Sequence, residues 1–230
     1  MHTIYIAGDS TAATKSSEAR PETGWGEYLQ EFFDPTRIRI VNMAKNGRST
    51  KSFIAEGRLT TIDQIIQPQD YLFIQFGHND QKLEDTERGT HPDSDFQENL
   101  HQFIAVARQH HATPVLLTSF TRRQYLPNSD KIDATSLGRY PEAMKYLAAK
   151  DYVLLLDLNM ISRDFLNQQS ITETAKYFLH LKPGEFLNYP DGRNDDAHSS
   201  PLGARINAEL VARAIQDSNI ELSQDLLLNK

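Results

Sequence analysis

The feature that most constrains this chain is an alternation of two patterns along its whole length. Short apolar or alternating runs at residues 3–7, 37–42, 71–76, 114–117 and 152–157 read as strands. Between them lie stretches with apolar residues at helical spacing. Residues 24–33 carry Trp25, Tyr28, Leu29, Phe32 and Phe33, and residues 93–110 place Phe96, Leu100, Phe103, Ile104 and Ala107 on one face. Residues 52–66 read as helix with a break near Gly57. Residues 138–149, 158–177 and 201–215 complete the set, the last with Pro201 in its first turn. The order β-α-β-α-β-α-β-α-β-α-α predicts an α/β fold: a central, mainly parallel five-stranded sheet between two helical layers. A length of 230 residues suits one domain spanning residues 1–230.

Composition narrows the function classes. Apolar residues make up 39% and charged residues 24%, and the net charge is −7 without basic runs. Nucleic-acid partners are not expected, because neutralising phosphates takes clustered Lys and Arg. No stretch approaches the ~20 apolar residues of a membrane span, so no membrane partner is expected. Cysteine is absent, which excludes disulfides, thiolate metal sites and a cysteine nucleophile. The first residues form too short an apolar run for a secretory leader and lack a basic start, so the expected location is cytoplasmic, unless a leader has been removed.

Four short blocks carry candidate chemistry. Gly8-Asp9-Ser10-Thr11 follows the first strand, where Ser10 is either a nucleophile or a turn or helix cap. Asn46-Gly47-Arg48-Ser49 follows the second, and Gly47 either lets backbone approach a ligand or makes a plain turn. Phe76-Gly77-His78-Asn79-Asp80 follows the third, and Asn79 is either an amide donor or part of a turn. Asp195-Asp196-Ala197-His198 precedes the last helix. There Asp195 and His198 are either an acid orienting a base or a solvated helix-start cluster. A metal site is a poor alternative: His110 and His111 are adjacent and His180 is isolated. Open parallel sheets build sites at the carboxyl ends of their strands, so the blocks can meet at one edge. Together they supply a nucleophile, a base, an orienting acid and three oxyanion donors, the parts list for acyl transfer.

These blocks resemble the SGNH (GDSL-type) hydrolase family: Gly8-Asp9-Ser10, Gly47, Gly77-His78-Asn79-Asp80, and Asp195 with His198 in D-x-x-H form, spanning residues 8 to 198. Finer detail is similar to the rhamnogalacturonan acetylesterases of that family, in Ile6–Ala12 with Thr11 after Ser10, in Thr23-Gly24-Trp25-Gly26 and in residues 46–53. The resemblance implies a flavodoxin-like three-layer fold and removal of O-acetyl groups from pectic poly- or oligosaccharides. It implies Ser10 as nucleophile, His198 as base and Asp195 as orienting acid. Ser10 N–H, Gly47 N–H and the Asn79 side chain would form the oxyanion hole. No metal or organic cofactor is expected, and the expected partner is an acetylated saccharide. Oligomeric state is not readable.

Candidate substrate contacts are Asp9, Trp25, Arg48 and His78; Lys51, Arg122 and Arg123 are further cations within reach of the blocks. Packing competes as the reading for Trp25, and solvated surface for the cations. The loop at residues 119–137 is expected to overhang the site. Competing functions are an acetylxylan or general short-chain esterase of the same mechanism, and a catalytically inactive carbohydrate-binding module. A nucleotide-binding domain fits poorly, since the first turn has no G-x-G-x-x-G run or P-loop lysine.

Overall fold

The computed structural model describes residues 1–228. The elements are β1 (His2–Gly8), β2 (Ile38–Asn42), α1 (Thr50–Ala55), α2 (Arg58–Asp63), β3 (Tyr71–Gln75), α3 (Asp95–Gln109), β4 (Thr113–Leu117), α4 (Tyr140–Asp151), β5 (Leu154–Leu156), α5 (Leu158–Asn167), α6 (Ile171–Thr174), β6 (Phe178–Leu181), β7 (Arg193–Ser199) and α7 (Pro201–Ser218). Strands β1 to β5 form one sheet in the order β2-β1-β3-β4-β5, every pairing parallel. That is the doubly wound order whose switch point lies beside the first strand.

Alternation along the strands feeds two cores. Tyr5 and Ala7 of β1, with Leu72 and Ile74 of β3, face Phe53, Phe96, Leu100 and Phe103 of α1 and α3. Ile4, Ile6 and Phe73 face the other way, against Val211, Ala212 and Ile215 of α7. Successive side chains of a strand point to opposite faces, so each central strand must be apolar throughout. The expected three-layer α/β/α arrangement is therefore present. The break near Gly57 is also present. That residue separates α1 from α2 with φ +71°, a conformation that costs glycine nothing.

One local expectation fails and one element is unanticipated. Residues 24–33 form two 3₁₀ segments, Trp25–Glu27 and Leu29–Phe32, rather than one α-helix. The segment lies edge-on against the chain after Ser10: Trp25 N–H and Gly26 N–H donate to the carbonyls of Thr11 and Ala12. Its contacts are tight enough that a Cβ on Gly24 would sit 2.2 Å from the Ala13 oxygen. The unanticipated element is an antiparallel ribbon, β6 with β7, which carries Asp195–His198 in the stretch read only as lying before the last helix.

Candidate active site

Ser10 sits two residues beyond β1, on a turn built by its neighbours. Asp9 Oδ1 accepts from Thr11 N–H (2.9 Å) and lies 2.8 Å from the Thr11 hydroxyl. Behind this turn Gln75 Oε1 receives the Trp25 indole N–H at 3.2 Å, and Gln75 Nε2 donates to Ser119 Oγ at 3.3 Å. Buried polar groups need such partners, and together they fix the backbone that presents Ser10.

The ribbon positions His198. Leu179 pairs with Asp195 but Phe178 pairs with Ser199, so residues 196–198 bulge out with no partner across the ribbon. Asp195 Oδ1 holds the bulge by accepting from Ala197 N–H (2.9 Å) and His198 N–H (3.0 Å). The bulge folds the His198 ring back over Asp195, giving Nδ1···Oδ2 of 2.9 Å and Nε2···Ser10 Oγ of 3.0 Å. Arg193 donates to the same Asp195 Oδ2 at 2.8 Å. Asp196 turns to the opposite side, to His180 (2.7 Å) and Arg123 (2.9 Å), which separates the two adjacent carboxylates by role.

Charge follows geometry. Burial alone would lower the His198 pKa, but the Asp195 hydrogen bond, with the fields of Glu22 and Asp195, outweighs it and holds it above the ordinary value. Burial would raise Asp195, but the hydrogen bond and charge of His198, with Arg193, hold it well below the usual carboxylate range. His78 is pushed down to about 4, chiefly by burial. Its ring is therefore neutral at pH 7, with Nε2 donating to the Phe120 carbonyl at 3.1 Å.

Three donors face the same space. The backbone N–H groups of Ser10 and Gly47 meet no acceptor among the described residues. Gly47, which lines the cleft with Ser10, has φ +76°, a conformation glycine adopts at no steric cost. Asn79 Nδ2 uses one hydrogen on the Arg48 carbonyl (3.1 Å), and Lys82 Nζ holds its oxygen at 3.0 Å, so the second amide hydrogen is left for the cleft. Asp80 ties the two donor loops together: Oδ1 accepts from Thr50 N–H (3.0 Å) and Thr50 Oγ1 (2.6 Å) at the start of α1. Burial raises the Asp80 carboxyl to about 7 against those donors.

The cleft has a volume of about 400 Å³ and holds Ser10, Gly47, His78, Asn79, Asp195 and His198. Sequence reasoning missed three of its supports, Lys15, Glu22 and Lys82, and named Arg122 only as a cation within reach. Lys15, its side chain fully buried, reaches the Ser10 carbonyl, Asn46 Oδ1 (2.7 Å) and Glu22 (2.7 Å), fastening the Ser10 turn to the Gly47 loop. Glu22, Lys82 and Arg122 line the cleft itself.

Three substrate candidates are corrected. Trp25 and Asp9 have no exposed surface and belong to the packed base of the site. Arg48 is ion-paired with Glu56 at 2.8 Å and lies in an adjoining groove with Ser52 and Arg88. His78 does line the cleft. From the loop at 119–137 Arg122 reaches the cleft, whereas Tyr125 and Ile132 pack with Leu166 and Phe178 instead of overhanging it.

Fold and site together define a flavodoxin-like α/β protein with a serine–histidine–aspartate constellation at the carboxyl edge of a parallel sheet. Residues 6–206 match the GDSL-like Lipase/Acylhydrolase family, and the chain belongs to that family. It is 40% identical over 224 residues to the rhamnogalacturonan acetylesterase RhgT of Bacillus subtilis, covering 97% of this chain and 94% of that one. It is 35% identical over 224 residues to YesY of the same organism, named a probable rhamnogalacturonan acetylesterase, covering 97% of each. Among solved structures, that of Bacillus subtilis YxiM superposes with a TM-score of 0.82 at 23% identity, covering 96% of this chain and 57% of the other.

Proposed function

We propose that this chain is a serine acetylesterase that removes O-acetyl groups from rhamnogalacturonan-type pectic saccharides. The observation that carries the chemistry is the unbroken Ser10–His198–Asp195 hydrogen-bond chain, at 3.0 and 2.9 Å, on a cleft lined by two backbone N–H groups without acceptors among the described residues and by Asn79, whose amide keeps one hydrogen. The substrate follows the names of the relatives at 40% and 35% identity. It also suits the lining of the cleft, which carries no large apolar side chain to hold a long acyl tail.

His198 Nε2 takes the Ser10 proton as Oγ bonds to the acetyl carbonyl carbon. Asp195 fixes the Nδ1–H tautomer and stabilises the cation. Negative charge on the former carbonyl oxygen is received by Ser10 N–H, Gly47 N–H and Asn79 Nδ2. His198 then protonates the departing sugar oxygen as the acyl C–O bond breaks, leaving acetyl-Ser10. Water, deprotonated by the same nitrogen, attacks the acetyl-enzyme, and Ser10 recovers its proton as acetate leaves.

The test is acetate release from acetylated rhamnogalacturonan oligosaccharides beside acetylated xylan and 4-nitrophenyl acetate. The pectic substrate should show the highest kcat/KM. A higher value on xylan, or turnover of the small ester alone, overturns the pectic assignment.

Asn79→Ala should lower kcat by about 10²–10³, close to 3–4 kcal/mol of transition-state stabilisation, with KM much less affected. Steady-state kinetics on the acetyl ester checks this, and an effect confined to KM would remove Asn79 from the oxyanion hole.

A further inference from the structure

The cleft lining carries both signs of charge. Its acids, Asp195 and Glu22, are already engaged: Asp195 by His198 and Arg193, Glu22 by Lys15. Its cations are Lys82, Arg88 and Arg122, on a chain whose net charge is −7. Arg88 is neutralised by Asp85 at 2.5 Å. Lys82 and Arg122 make no salt bridge among the described residues. Lys82 Nζ donates to Asn79 Oδ1, and Arg122 Nη1 to the Ser136 carbonyl at 3.0 Å. With its amide reversed, Gln81 also turns its oxygen to the Arg122 guanidinium.

Neutral acceptors do not compensate a cation withdrawn from water. Desolvation lowers the pKa of both groups, and the fields of Arg88 and Arg122 lower that of Lys82 further. Of the other cations near the site, Arg48 is paired with Glu56 and Arg123 with Asp196, and Lys51 does not line the cleft. Arg122 is also held in place before any ligand arrives. Thr121 N–H donates to Ser162 Oγ at 3.0 Å, and Arg123 N–H to the Asp196 carbonyl at 2.8 Å, so the backbone is pinned on both sides of it. A pre-positioned fork of this kind binds without a large ordering cost.

We infer that Lys82 and Arg122 form a carboxylate subsite that seats a uronate unit of the saccharide beside the ester attacked by Ser10. The uronate's place next to an acetyl ester rests on the pectic reading; the anion subsite rests on the unpaired cations. Arg122 supplies the planar fork that matches a carboxylate, and Lys82 adds a point charge that also touches the oxyanion donor Asn79. An acidic unit bound there would be registered directly at the catalytic amide.

The test is inhibition of 4-nitrophenyl acetate hydrolysis by a deacetylated oligogalacturonate and by the same oligosaccharide with its carboxyls reduced to alcohols, at constant ionic strength. In the wild-type protein the acidic form should bind about tenfold or more tightly than the reduced form. Arg122→Gln should shrink that ratio to within about threefold, and Arg122→Lys should restore part of it. The readout is a ratio within each protein, so a general loss of activity in a variant does not imitate it. Equal inhibition by both forms in the wild type overturns the subsite, as does a ratio unchanged in Arg122→Gln. If the ratio behaves as expected while acetylated rhamnogalacturonan releases no acetate, the acid subsite stands and the pectic ester reading falls.

Discussion

Ser10→Ala should lower kcat for acetyl-ester hydrolysis by about 10⁴–10⁶, leaving KM within a few-fold of wild type. The substitution removes the atom that forms the acyl bond. Among the described residues its side chain bonds to His198 alone, so no other group there loses a partner. The Ser10 backbone N–H, Gly47 and Asn79 remain, and such donors alone keep a residual rate above that of water. Because Ser10 and His198 act as one unit, Ser10→Ala/His198→Ala should be no slower than the worse single variant. Steady-state and burst kinetics on 4-nitrophenyl acetate check both statements. Near wild-type turnover in Ser10→Ala would end the serine-esterase reading, and additive losses in the double variant would mean that the two residues do not share a proton.

The parts of this site that lie on parallel strands were legible because the fold rule is local. A block directly after β1, β2 or β3 must emerge at the carboxyl edge, and the order β2-β1-β3 makes those three strands neighbours, so Ser10, Gly47 and Asn79 converge. That order is not legible in the pattern, since alternation says that strands are parallel and not which are neighbours. The ribbon was invisible for a different reason. Arg193–Ser199 has no apolar alternation, and its register shift depends on backbone bonds to Asp195 that no hydropathy pattern encodes. Trp25 shows the limit of spacing. Its pattern fits a helix face and a packed 3₁₀ segment equally well, and only its bond to Gln75, fifty positions away, settles that it is core. Lys15, Lys82 and Arg122 fall outside every block. A lysine or arginine carries its charge several ångströms from its own backbone, so sequence position says little about where that charge acts.

Asp195→Asn should lower kcat by about 10³–10⁴ and move the acid limb of the pH profile to lower pH. The rate falls because an amide can present its N–H₂ group to His198 Nδ1. That favours the tautomer with hydrogen on Nε2, which cannot accept the Ser10 proton. The shift follows from what sets the His198 pKa. Burial lowers it, and the hydrogen bond to Asp195, with the charges of Glu22 and Asp195, raises it above the ordinary value. A base must be unprotonated, so wild-type kcat/KM is lost as pH falls through that raised pKa. Removing the carboxylate leaves burial less opposed, so the imidazole stays neutral to lower pH and the limb moves down. Asp196→Asn is the matched control, one residue along and facing His180 and Arg123, and it should change kcat by no more than about threefold. A pH–rate series on all three proteins decides the assignment. If Asp196→Asn were the slow variant, or the limb in Asp195→Asn moved up, Asp195 would not be the group that orients His198.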